Sequence, residues 1–227
     1  MNISAGQFPL FIEIISWLIV AALSFASINN LRKYNPSFRH YIISVIIIAL
    51  LWGMHGSISF GLDTYFHYHL LAATLIFLIL GFYPAFILFT LFSIIYILKF
   101  QQFNDIRIVG IYILLAILPA LLFSKFSLKI SQKLLPHNIF IFIFVNSFFT
   151  AAIAMMLSGS ISLFALDIAN IYSKELIWHR AFPVFFLLSW AEAFFTGFMS
   201  AVFVAISPHL LESYSDEIYI AKNNSIL

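Results

Sequence analysis

Two carboxylates stand inside long apolar stretches, where insertion of a charge at the bilayer centre costs ~2.5–3.5 kcal/mol. Glu192 lies in Ser189-Trp190-Ala191-Glu192-Ala193-Phe194-Phe195-Thr196-Gly197, and Glu13 lies beside Trp17. Spacings of three and four put Ser189, Glu192, Thr196 and Ser200 on one helical stripe, which is predicted to face inward. Glu192 can serve there by contacting a substrate or ion, or by hydrogen-bonding a neighbouring helix. For Glu13, nearer a membrane end, the helix-bonding role is the favoured reading.

Imidazole is a common ligand of nickel, copper, zinc and iron, and the seven histidines are unevenly placed. His55, His67, His69 and His179 fall toward one side of the predicted topology, whereas His40, His137 and His209 border the other. His67 and His69 are two apart and cannot share a face of a regular helix. Convergence of His55, His67 and His69 would suit metal capture. Hydrogen bonding of each imidazole to backbone or water is the alternative. The sequence holds no phosphate-cradling Gly-rich loop, nucleophile elbow or zinc-protease helix motif, so ATP hydrolysis by this chain and enzymatic activity in general are not expected.

The elements that carry these groups must be membrane helices. Of 227 residues, 63% are apolar and 9% charged, 28 are Phe and none is Cys, and the mean hydropathy is +1.05. Soluble domains carry roughly a quarter charged residues, whereas about 20 apolar residues cross ~30 Å of hydrocarbon. The composition implies an all-α polytopic bundle in a lipid bilayer, with residues 1–227 forming one integral membrane domain. The formal charge of +2 gives no nucleic-acid surface.

Seven apolar segments are read at 9–28, 40–60, 68–81, 84–99, 108–125, 138–166 and 182–207; they become six if the hairpin over 68–99 counts as one element. That run is broken only at Gly81-Phe82-Tyr83-Pro84. Its first limb is short, as a half-span or a strongly shielded helix would be. The tract Ser158-Gly159-Ser160 predicts a helix end. Ala22 and Ala26, four apart, would let a neighbouring helix approach closely. Lys and Arg gather in cytoplasmic loops; Arg32, Lys33 and Arg39, then Lys125, Lys129 and Lys133, put the N-terminus outside and the C-terminus in the cytoplasm. The first segment lacks a basic leader and contains Glu13, which argues against a cleaved signal peptide.

Three stretches together carry a resemblance. They are Leu135-Pro136-His137-Asn138 through Phe149, Glu192-Ala193-Phe194-Phe195-Thr196-Gly197, and Pro208-His209-Leu210-Leu211-Glu212-Ser213-Tyr214. In that order they resemble the proteobacterial branch of the CbiM family, the membrane-embedded substrate-capture components of energy-coupling factor transporters for cobalt or nickel. The run from His69 through Thr74 to Gly81 is similar to the family tract that opens on a metal-ligating histidine. The resemblance implies that His69 is that ligand and that Glu192, Thr196 and Gly197 stand on the acid, threonine and glycine of the last-helix motif. Metal-transporting members begin Met-His and use that imidazole in a square-planar site. This chain begins Met1-Asn2, so His55 or His67 would have to replace it.

The resemblance implies a multi-pass permease of the bacterial inner membrane that needs ATPase subunits and a coupling transmembrane subunit as partners. A divalent transition metal such as cobalt or nickel would be its cargo, with no permanently bound cofactor. A membrane scaffold or assembly factor of the same fold, uptake of a non-metal small molecule, and an intramembrane enzyme using Glu192 with a histidine are the competing readings.

Overall fold

Apolar side chains leave the backbone as the main polar burden, and in hydrocarbon a helix satisfies its amides and carbonyls within one segment. The computed structural model describes residues 6–31, 36–53, 69–100 and 103–220. Every regular element among them is helical. In chain order these are α1 (Leu10–Asn30), α2 (Phe38–Gly53), α3 (Ala73–Leu80), α4 (Phe82–Phe100), α5 (Asp105–Leu134), α6 (Ile141–Ile168), α7 (Glu175–Ile206) and the short α8 (Asp216–Tyr219). Five helices (α1, α4, α5, α6 and α7) are long and apolar enough to cross a membrane. Their outward residues include Phe11, Leu18, Phe25, Phe144, Leu187 and Phe198; so much exposed apolar surface fits lipid and not water. The chain is a multi-pass helical membrane protein.

The bundle is built around α3. Its eight residues are all buried and rise only about 12 Å, so it is a shielded half-span. The chain reverses at Gly81, whose φ of +79° lies in the region that glycine reaches without steric cost, and α4 begins at once. At one end of the bundle, His40 Nε2 lies 3.0 Å from the carbonyl of His209, and Lys125 Nζ sits 4.5 Å from the Phe82 ring centroid. The same end holds the start of α6, where Asn146 Nδ2 donates to Tyr219 Oη at 3.4 Å. The three basic residues of α5 and the C-terminal tail thus share one face.

Three stretches widen from α to π geometry: Ile113–Ile117, Ile141–Phe149 and Glu175–Ala181. The first and third precede Pro119 and Pro183, which supply no N–H to the turn before them. In the second, the hydroxyls of Ser147 and Thr150 bond to carbonyls five residues back, Phe142 and Val145.

Several expectations are corrected. The limb read at 68–81 is helical only from Ala73, with residues 69–72 outside the helix. Ser158-Gly159-Ser160 does not end a helix: α6 continues to Ile168, and Gly159 lacks the Cβ that would come within 2.4 Å of Phe185. Ala22 and Ala26 are exposed, so they face lipid instead of a neighbouring helix. Close approach of α1 occurs at Gly110 of α5, where an added Cβ would lie 2.8 Å from the Trp17 amide nitrogen.

Candidate functional site

Residues 69–72 form a non-helical step inside the bundle, and membrane-depth backbone of that kind is tolerated only where protein satisfies it. Glu192, near the middle of α7 and 2% exposed, does so. Its Oε2 accepts the Leu71 N–H at 2.9 Å, and the amides of Ala72 and Ala73 lie close enough to favour the same carboxylate. These are the otherwise unpaired donors at the start of α3, where a carboxylate also meets the positive end of the helix dipole. Ala72 has φ +57° and ψ 17°, a left-handed conformation costing roughly 1–2 kcal/mol outside glycine. It lets successive amides converge on one anion.

The other end of α3 is held as well. Glu212 N donates to the Ile79 carbonyl at 3.4 Å, Ser213 N donates to that of Leu78 at 3.2 Å, and Ser213 Oγ adds a 2.9 Å bond to Leu78. The half-helix is therefore clamped at its N-terminus by the last membrane helix and at its C-terminus by the segment that follows it.

His69 opens the clamped step and is 6% exposed. Its Nδ1 lies 3.1 Å from the Leu70 carbonyl. A carbonyl only accepts, so Nδ1 carries the proton and Nε2 presents its lone pair. Tyr112 Oη lies 3.2 Å from Nε2 and donates to it. Aromatic rings enclose the imidazole: Trp52 at 4.8 Å between centroids, Tyr96 at 5.7 Å and Tyr112 at 6.4 Å. Trp52 Nε1 also donates to the Leu71 carbonyl at 3.4 Å, so Leu71 is bonded on both its backbone groups. Tyr112 is seven residues into α5, roughly 10 Å along its axis, which puts the chamber below the bundle surface.

The other candidates divide. Ser189, Thr196 and Ser200 are buried on the Glu192 stripe, and among the described residues the hydroxyls of Thr196 and Ser200 have no hydrogen-bond partner. Glu13 is buried elsewhere: Oε1 accepts the Gly6 N–H at 3.1 Å, and Oε2 lies 3.7 Å from Nε of the half-exposed Arg107. His179 is exposed. His55 and His67 lie outside the described residues, and among the described residues no three His, Asp or Glu side chains gather as a metal cluster. Sequence reasoning passed over Trp52, Tyr96 and Tyr112. Their signal was a polar-tipped aromatic within spans otherwise made of Ile, Leu and Phe.

Chemically, the arrangement presents one imidazole nitrogen with a fixed tautomer, in an enclosed aromatic chamber, on backbone that is braced from both sides. A nitrogen held this way by a hydrogen bond on its companion is the usual form of a metal-binding histidine.

No curated protein and no solved structure matches the sequence closely enough to count as similar. The family described as "CbiM: Cobalt uptake substrate-specific transmembrane region" matches residues 2–210. With that match running along nearly the whole of a multi-pass helical chain, the protein belongs to the CbiM family of cobalt-uptake transmembrane components.

Proposed function

We propose that this chain captures a divalent transition-metal ion, cobalt or nickel, for an energy-coupling factor transporter in the bacterial inner membrane, with His69 Nε2 as a ligand. The observation that carries the reading is the imidazole of His69, which is buried, fixed as the Nδ1–H tautomer by Leu70 and seated on the step that Glu192 braces. An ionisable side chain buried at membrane depth is a functional-site candidate by default.

Glu192 is assigned a positioning role, since its carboxylate is taken up by the α3 amides. Glu13 holds the segment at Gly6 and the α5 residue Arg107. Thr196 offers a buried hydroxyl on the Glu192 stripe. His55 and His67 are proposed as sources of a second imidazole. The energy-coupled step belongs to partners, an ATPase pair and a coupling transmembrane subunit, which would meet the basic face and the tail that grips α3.

The test is equilibrium binding of cobalt, nickel, copper and zinc to the purified protein. Saturable binding of cobalt or nickel that is lost in His69→Ala supports the reading. Absence of binding by all four metals would transfer the case to a non-metal substrate or a scaffold role.

A further inference from the structure

The proposed ligand atom is already engaged. Nε2 of His69 accepts from Tyr112 Oη at 3.2 Å, and both residues are buried together with Trp52. A metal can use that lone pair only after the hydroxyl leaves it. Tyr112 is also the last residue of a single α-turn, Val109–Tyr112, set between a tight 3₁₀ stretch at Phe103–Ile108 and the π-turn at Ile113–Ile117. A π-turn stores one extra residue relative to an α-helix and often marks a functional site. Moving it one residue toward the N-terminus turns the residue that it passes, Tyr112, by about 100°, enough to carry the phenol away from the imidazole.

We propose that Tyr112 is a latch on the capture site: its hydroxyl holds the His69 Nε2 lone pair until cargo displaces it, and the adjoining π-turn supplies the rotation that lets it go. The proposal rests on His69 being the ligand. It adds that apparent affinity is set by competition between the metal and one phenol, so Tyr112 tunes how tightly and how fast metal binds, by one common factor for every metal.

The test uses full-length protein in detergent, wild type and Tyr112→Phe, with cobalt(II) chloride as the metal probe. In parallel, carbethoxylation of His69 by diethylpyrocarbonate is followed by peptide mass spectrometry with metal absent. Loss of one hydrogen bond predicts cobalt binding about three- to tenfold tighter and His69 modification faster by a similar factor. Weaker cobalt binding in Tyr112→Phe would make the phenol a ligand and overturn the latch, as would unchanged binding with unchanged modification. If neither protein binds cobalt, the capture reading fails by itself, and the modification rate still decides whether the hydroxyl masks the imidazole. Should Tyr112→Phe fail to fold, amide exchange over residues 109–117 of the wild type decides: a change on cobalt addition supports the latch, and an unchanged profile overturns it.

Discussion

Glu192 Oε2 accepts the backbone N–H of Leu71 at 2.9 Å across 121 residues of sequence. An acid that the sequence leaves open between a substrate contact and a bond to a neighbouring element holds, in the folded chain, the start of a buried half-helix. Its influence on His69 runs through three residues of backbone.

Replacing Glu192 separates the acceptor from the side chain's bulk. Glutamine keeps one acceptor oxygen but turns an NH₂ toward amides that are themselves donors, so Glu192→Gln is expected to fold with a loss of about 1 kcal/mol and weakened metal binding. Glu192→Leu leaves the buried Leu71 amide unpaired and should lose ~1–3 kcal/mol. Thermal unfolding in detergent alongside cobalt titration measures both. If the leucine variant is as stable as wild type, the clamp has no energetic role.

His69→Ala should abolish cobalt and nickel binding in a variant that still folds, with a lowered unfolding midpoint because a buried ring is removed from its contacts with Trp52 and Tyr96. His179→Ala, at an exposed position of α7, should bind as wild type does. Equal loss in both variants would point to general damage and remove the specific assignment of His69.

Gly110 is the contact on which α1 and α5 close. Its added Cβ would meet Ser16 Oγ at 2.7 Å and backbone atoms of Ser16 and Trp17 at 2.8–2.9 Å. Gly110→Ala is therefore expected to cost ~1–3 kcal/mol and to loosen the Trp17 Nε1 bond to the Ile106 carbonyl, now 3.1 Å. Gly197→Ala meets Phe148 only at 3.1 Å and should cost less. A larger loss at Gly197 would contradict the packing described here, and comparative unfolding of the two variants reads it directly.

The basic residues predict an orientation that can be checked independently. A phosphatase or fluorescent reporter fused after Lys129 should report the cytoplasm, and one fused near Asp63 the outside. The reverse pattern would put the His69 chamber nearer the cytoplasmic surface and turn the site from capture toward release.

Much of the architecture is legible in hydropathy because apolar run length and lipid thickness are tied directly, and the Glu192 stripe follows from three- and four-residue spacing. The readings that failed depend on partners distant in sequence. Residues 70–73 are Leu-Leu-Ala-Ala, which looks like uninterrupted helix, yet a carboxylate 121 residues away bends Ala72 into a left-handed conformation. Ser158-Gly159-Ser160 looks like punctuation, but Phe185 fills the space that the glycine leaves. Tyr112 looks like an ordinary membrane tyrosine until His69 is folded against it. A backbone amide as the partner of an acid has no sequence signature at all.

The grip on α3 also constrains how the protein can be made. Its two ends are held by Glu192 and by residues 212–213, which are made more than a hundred residues after it. During synthesis the half-helix has no way to settle, because about 12 Å of helix cannot cross the bilayer and its end groups have nothing to bond. The earlier helices must wait in the membrane with that gap unfilled. Chains that stop short of Ser213 are thus expected to remain incompletely assembled and open to membrane proteases.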